Sequence, residues 1–443
     1  MALSGLDIYK LLPKTNCREC GFATCLAFAM QLAKKAVSID KCPYLSAEAK
    51  AALESASLPP IKLVTIGTGD NKFGVGNETV MFRHEEKFHN PCALGFIIED
   101  SLSDEDIKQR LRQINNLKFE RVGQNLEVSL VAIKQSSAKE RFVSAAQLVK
   151  NNTKLALALI SNDVQSLAGA LEITHERNPL VCYADQKNLP QVSELLRKFK
   201  VPLAVCAADL DTLSNMTQGL ANEGVKELVL DTGKKPVADK IWDLTQIRRQ
   251  ALKKSNRSLG YPVLTIIDNN DPYMEAIEAA TYIAKYAGIV LLKNISSWET
   301  LSLLTLRQNI YTDPQKPLQI EPKIYPIGKV DTSSPVLVTT NFSLSYYTVL
   351  GEVEASKVPS YIMSVDTEGM SVLTAWAAEK FNAEKINEAM NKFAVSEIVS
   401  HKNIIIPGYV AMMSGDLAEQ SGWEVIVGPK EASGIPGFLK NLQ

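Results

Sequence analysis

The 443-residue chain has no run near the roughly 18 consecutive apolar residues that a membrane-spanning helix needs, so no membrane span is expected. It also lacks an excess of either charge: 48 Lys and Arg stand against 49 Asp and Glu, a formal net charge of −1 at pH 7. That balance, without a basic stripe interleaved with aromatics, argues against nucleic-acid binding. The opening MALSGLDIYKLLPKTNC has no cationic start and places Asp7 where a secretory signal would be apolar, so a cytoplasmic location is expected. Histidine is scarce, at four residues, and no acid–base dyad or His-based metal site can be assembled from it. The glycines of IGTGDNKFGVG have neither phosphate-loop spacing nor a following Lys-Ser or Lys-Thr, and no helical pattern begins there. They predict hairpin turns. What remains is a hydrophobic content of 46%, ample for ordinary cores, in a length that suggests about three domains.

Four of the seven cysteines crowd into the first 42 residues as Cys17, Cys20, Cys25 and Cys42, a C-x2-C-x4-C-x16-C run. A disulfide scaffold fits a chain of this size poorly, and a metal site fits better. Zinc modules usually present two close pairs on separate knuckles. Here three ligands lie close together and a distant fourth precedes Pro43, a pattern that favours a [4Fe–4S] cluster over zinc. Gly21 permits a tight loop, and CLAFAMQLAKKA predicts a helix over Leu26–Ala36 that carries the chain toward Cys42. Cys92, Cys182 and Cys206 are isolated, and the last two read as small buried hydrophobes. A helix over SAEAKAALESA and the break at Pro59-Pro60 close a first module at residues 1–57, with a linker and hairpin over 58–92.

From residue 93 to 325, short apolar runs alternate with amphipathic segments: ALGFIIE, LEVSLVAIK, LALALIS, LVCYA, PLAVCA, ELVLD, VLTII and GIVLLK. Eight such units predict a (β/α)8 TIM-like barrel. Several runs end in polar residues, among them Asp163, Asp209, Asp231, Asp268 and Asp271. They suit either a pterin- or folate-like site or the capping of the helices that follow, and capping is the simpler expectation. A Pro-spaced passage, YTDPQKPLQIEPKIYPIGKV, then separates a last domain at 326–443. Its four apolar strands predict a small doubly wound α/β fold, whose ligands sit outside the strand carboxyl ends. Those ends carry Thr339-Thr340-Asn341, Asp366-Thr367-Glu368-Gly369, Pro407-Gly408 and Gly428-Pro429. Flavodoxin-like topology serves a flavin as well as other flat ligands, so an iron–sulfur flavoprotein is one alternative and a self-contained pterin methyltransferase another.

The order of these modules, with the segments VTTNFSLSYYTV, DTEGMSVLTAWAAEKF and VGPKEASGIPGF, closely resembles the large (gamma) subunit family of the corrinoid iron–sulfur protein of the reductive acetyl-CoA pathway, end to end. The resemblance implies a methyl carrier, more a protein substrate than an enzyme in its own right. Its Co(I) takes a methyl group from methyltetrahydrofolate on a separate methyltetrahydrofolate:corrinoid methyltransferase, and methyl-Co(III) delivers it to acetyl-CoA synthase. The [4Fe–4S] cluster reduces accidentally formed Co(II), fed by a redox activator or ferredoxin-type reductant, and a small barrel subunit completes a heterodimer. Corrinoid contacts are implied at Thr340, Asn341, Leu344, Tyr346, Gly369, Met370, Ser371, Val372, Leu373, Thr374, Gly408, Gly428, Ala432 and Gly434, with Thr374 toward cobalt. Many cobalamin proteins place a histidine under cobalt through D-x-H-x-x-G. Here Phe82, Lys87, Ile173 and Val399 stand where that Asp would be, two residues before each histidine, so a base-off corrinoid without a protein nitrogen ligand is expected.

Overall fold

A computed structural model describes residues 5–33, 36–46, 48–50, 53 and 59–442. Among these, no helix is long and apolar enough to cross a membrane. Helices Gly5–Leu11 and Cys25–Ala33 enclose a small core of Ile8, Leu12, Phe28, Ala29 and Leu53, to which Cys25 and Cys42 belong. The second helix starts one residue before its predicted place, and residues 34–35 near its predicted end lie outside the described residues. Residues 48–50 and 53 of the helix expected over SAEAKAALESA are helical, whereas 47, 51–52 and 54–56 lie outside the described residues.

Strands β1 (Val64–Ile66) and β2 (Phe73–Val75) pair antiparallel, as the glycine spacing predicts. After β3 (Ala93–Glu99) comes a ribbon, β4 (Lys118–Arg121) and β5 (Gln124–Glu127), in a separate two-stranded sheet. The barrel continues through β6 (Leu130–Lys134), β7 (Ala156–Ile160), β8 (Leu180–Ala184), β9 (Leu203–Cys206), β10 (Leu228–Asp231), β11 (Leu264–Ile266) and β12 (Ile289–Leu292). The parallel order runs β10-β9-β8-β7-β6-β3-β12-β11. A single parallel bridge, Leu230 to Val263, closes the ring, with Leu230 N donating to Pro262 O at 2.9 Å. The run LEVSLVAIK, expected as one strand, divides between β5 and β6.

Side chains alternate with the strand period of two. Ala93 and Ile97 of β3 and Leu130 and Ala132 of β6 face the barrel axis. Leu94, Phe96, Ile98, Val131 and Ile133 pack outward on the helices. The axis mixes small residues, including Ala132, Ala158, Cys182 and Ala204, with large ones such as Ile160, Leu180, Leu264 and Leu291, and Val64, Ile66 and Val75 of the β1–β2 hairpin join that inner core. The hairpin is tied there by Asn178, whose Nδ2 donates to Thr65 O at 2.9 Å and whose O accepts from Gly67 N at 3.0 Å.

The chain divides into two compact units, residues 1–119 with 126–311, and residues 120–125 with 312–443. The second holds β13 (Ile324–Ile327), β14 (Val336–Thr340), β15 (Ser360–Val365), β16 (Asn403–Ile406) and β17 (Glu424–Val427) in the order β13-β15-β14-β16-β17. All neighbours are parallel except β13, which pairs antiparallel with β15. Helices Ser343–Ser356 and Ile435–Asn441 supply the core on one face. Helices Ala383–Lys392 and Ser414–Ser421 supply it on the other. The expected doubly wound domain thus gains a fifth strand from the Pro-spaced passage. Pro326 is tolerated because β13 lies at a sheet edge.

Candidate functional site

In the C-terminal unit the chain runs from β14 to β15 on one side and later to β16 on the other, so the order reverses between β14 and β16. Such a switch point leaves a crevice beyond the strand carboxyl ends. A cleft of about 370 Å³ opens there, lined by Leu337, Thr339, Phe342, Leu344, Ile405 and Tyr409 together with Ser371, Val372, Gly428 and Ala432. Its far wall requires glycine. Gly408 N donates to Pro429 O at 3.1 Å, and a Cβ on Gly408 would lie 2.5 Å from Gly428 O. The two loops therefore touch backbone to backbone.

The hydroxyls of Thr339, Thr340 and Ser364 are buried without a hydrogen-bond partner. Thr339 and Ser364 are paired across β14 and β15, and Thr339 lines the cleft. An unpaired buried hydroxyl costs about 1–3 kcal/mol, which a ligand or ordered water can relieve. Leu344, Leu373, Trp376, Tyr409, Met412 and Val427 of the same unit are exposed apolar residues. Of these, Leu344 and Tyr409 line the cleft itself.

The residues singled out from sequence fall into three sets: lining the cleft, exposed beside it, and packed within the unit. Leu344, Ser371, Val372, Gly428 and Ala432 line the cleft. Leu373 and Thr374 are exposed on the short helix Val372–Ala377, and Thr374 Oγ1 lies 2.9 Å from Ser371 Oγ. Tyr346 instead packs in a buried cluster, its ring 4.7 Å from that of Tyr325 and 5.2 Å from that of Tyr347. Met370 packs against the Ile386 side of the sheet. Asn341 is buried and engaged by neighbouring protein groups. Gly434 lies against Pro429, where a Cβ would come within 2.9 Å. Phe342, Ser345, Thr348 and Val349 also line the cleft; they lie in the segment VTTNFSLSYYTV but were not singled out within it. Their spacing along helix Ser343–Ser356 is a signal that could have found them. No histidine lines the cleft. His401 Nε2 lies 3.0 Å from Ser334 O, near the strand N-termini, and His175 Nδ1 lies 2.9 Å from Leu171 O in the barrel.

At the N-terminus the loop before Cys25 turns through left-handed backbone at Lys14, Asn16, Arg18 and Gly21. Asn16 Oδ1 accepts from Cys25 N at 2.8 Å, fixing the start of the helix that carries this thiol. Burial pushes the Cys42 thiol pKa up, and the nearby Cys20, Cys17 and Cys25 thiols raise it further. Among the described residues no three His, Cys, Asp or Glu side chains converge as a single-ion ligand set. Cys25 and Cys42 are buried in the apolar core of Ile8, Phe28 and Leu53, whereas Cys17 is exposed and Cys20 half-buried, and thiols are the soft donors that an iron–sulfur cluster takes.

The polar strand ends of the barrel are engaged within the protein. Asp163, Asp209 and Asp271 cap the helices that follow, as expected from sequence. Asp231 pairs with buried Lys240 at 2.9 Å, and Asp268 is held by Lys234 and Lys293. Cys182 is fully buried, while Cys206 is partly exposed and desolvation pushes its thiol up to about 12.

A family model described as the CO dehydrogenase/acetyl-CoA synthase delta subunit matches residues 63–439, and an Fe-S cluster family model matches residues 12–44. The corrinoid/iron-sulfur protein large subunit of Moorella thermoacetica is 45% identical over 441 residues, covering 99% of both chains. The acetyl-CoA decarbonylase/synthase complex subunit gamma of Methanothermobacter thermautotrophicus is 36% identical over 100% of this chain and 99% of its own. The corresponding subunit of Methanocaldococcus jannaschii is 34% identical over 99% and 96%. With full-length likeness at these identities, the chain belongs to the family of corrinoid/iron-sulfur protein large subunits and acetyl-CoA decarbonylase/synthase gamma subunits.

Proposed function

We propose that this chain is a corrinoid-dependent methyl carrier of the acetyl-CoA pathway, with a base-off corrinoid in the C-terminal unit and a [4Fe–4S] cluster on Cys17, Cys20, Cys25 and Cys42. The observation that carries it is the apolar cleft at the β14–β16 switch point, lined by Thr339 with its unpartnered hydroxyl and free of histidine. When bound, the corrinoid supplies a cobalt centre that takes up and gives up a methyl group, and the cluster supplies the electron that restores its reduced form. The cleft would take the slender tail of the ligand, while Leu373, Trp376, Tyr409 and Met412 offer an apolar bed for the macrocycle. Ser371 and the Gly428–Ala432 loop, which line the cleft, would meet its amide arms, whereas Thr340 and Gly369 are buried. Thr374 would offer the metal only a hydroxyl, a weak donor compared with imidazole, which would leave it easier to reduce. Ile8, Phe28 and Leu53 exclude water beside the cluster thiolates.

The partners in this reading are a small barrel subunit, a methyltetrahydrofolate:corrinoid methyltransferase, acetyl-CoA synthase and a ferredoxin-type reductant or redox activator. A self-contained pterin methyltransferase draws little support, because the strand-end acids of the barrel serve as caps or ion pairs. The test is anaerobic isolation with assay of cobalt, iron and flavin and a visible spectrum. Corrinoid bands with about four irons per chain are expected, and flavin bands in their place would overturn the reading. Cys20→Ala should abolish cluster-mediated reduction of Co(II) yet leave methyl transfer from protein already poised as Co(I). Loss of both in a folded variant would refute the division of labour.

A further inference from the structure

Asn341 follows β14 directly and is 1% exposed. Its Oδ1 accepts from Thr367 N at 2.9 Å and Gly369 N at 3.0 Å, and lies 3.0 Å from Thr367 Oγ1. Its Nδ2 donates to Asp366 Oδ1 at 3.1 Å and to Gln319 Oε1 at 3.3 Å. Its own backbone is tied on both sides, N donating to Val365 O at 2.8 Å and O accepting from Ile320 N at 3.0 Å. One carboxamide therefore joins three chain segments. The segment it grips most densely, Asp366 to Met370, passes through left-handed backbone at Glu368 and Gly369 and delivers Ser371 and Thr374 to the surface. The turn adds three internal ties, Glu368 N to Asp366 Oδ1 at 3.1 Å, Met370 N to Thr367 O at 3.2 Å and Thr367 Oγ1 to Met370 O at 3.1 Å, none of which takes the N–H of Thr367 or Gly369. Without Asn341, the inward-facing N–H groups of Thr367 and Gly369 would have no acceptor.

We infer that Asn341 is a positioning residue: its carboxamide fixes the Asp366–Met370 turn and so sets where the Ser371–Thr374 surface meets the bound ligand. The inference rests on the corrinoid reading above and deepens it. Asn is required over an ionised Asp because one atom must accept from the turn while the other donates to a carboxylate, and a carboxylate has no hydrogen to donate. A carboxylate at this position would face Asp366 with like charge. Exchanging the two side chains should restore the pair, since an amide at 366 can donate to a carboxylate at 341.

The experiment uses the full chain as wild type, Asn341→Asp, Asn341→Ala and the double variant Asn341→Asp/Asp366→Asn. Amide hydrogen exchange at Thr367 and Gly369 is measured in the cofactor-free protein, and binding of hydroxocobalamin is followed by visible absorption. Asn341→Asp should speed exchange at both amides at least tenfold and weaken binding at least tenfold, with the double variant recovering most of each. Asn341→Ala should behave like Asn341→Asp. Unchanged exchange and binding in folded Asn341→Asp would overturn the positioning role, as would a double variant no better than Asn341→Asp. Wild-type protein that binds no corrinoid while its Thr367 and Gly369 amides remain protected would refute the corrinoid reading instead.

Discussion

A single buried carboxyl sets a pH dependence that the sequence did not foreshadow. Glu299 is fully buried, its Oε1 has no partner, and burial with the neighbouring Glu275 pushes its pKa up to about 7. Glu275 is better served, accepting from Lys293 N at 2.7 Å and Asn294 N at 3.0 Å. An unfolded Glu titrates near 4.3, so between about 4.3 and about 7 the native state holds the extra proton. The contribution of Glu299 to stability should therefore fall as pH rises through that window and level off on either side, by up to roughly 4 kcal/mol. Glu299→Gln should flatten the profile and melt higher than wild type at pH 8, as measured by thermal unfolding from pH 4 to 9. A second test at this scale concerns Thr374, which is exposed beside Ser371. On the proposed reading, Thr374→His supplies an imidazole, so nitrogen splitting should appear in the Co(II) paramagnetic resonance spectrum and the Co(II)/Co(I) potential should drop. Splitting already present in the parent would mean that a nitrogen ligand exists elsewhere. That no histidine stands in a D-x-H-x-x-G motif was legible from sequence, but that none of the four lines the cleft was not, because spacing alone does not place a side chain. The internal engagement of Asn341 was not legible either, because a strand-end polar residue looks alike whether it meets a ligand or its own loop, and neither was that of Tyr346, whose face of the helix depends on packing.

At the scale of elements, the eight barrel strands were legible because strands buried on both faces read as unbroken apolar runs. The β4–β5 ribbon was not. Its residues, KFER and QNLE, are mostly polar and partly exposed, and the tight turn hides in Val122-Gly123, both at positive φ. Two left-handed residues joining antiparallel strands form the primed type of turn, where Asn-Gly is the usual signal and Val is a poor fit. Val122→Asn should thus stabilise the ribbon by about 0.5–1 kcal/mol, readable as a rise in melting temperature. The closing loops of the C-terminal sheet carry the opposite constraint. Gly408→Ala would drive a methyl group onto Gly428 O and Lys430 N, at 2.5 and 2.8 Å. A loss of about 1–3 kcal/mol is expected, together with weaker corrinoid retention on gel filtration. An unchanged melting temperature would mean that the loops part without cost.

At the scale of the whole molecule, the β1–β2 hairpin has a kinetic consequence. Its apolar residues Val64, Ile66 and Val75 share a core with the first barrel strand, Ala93 and Ile97, and also with the last, Ile289 and Leu291. Their neighbours are thus separated by up to about two hundred residues of chain, and closing such loops is slow. The hairpin leaves the ribosome before any barrel strand, yet its burial must wait until the ring closes through Leu230 and Val263. During synthesis three large apolar side chains remain in water, and β1 and β2 offer open edges to other chains. Chaperone dependence should therefore track this hairpin and not the barrel strands. Val64→Thr should leave more nascent chain soluble when chaperones are limiting, even though it destabilises the finished fold.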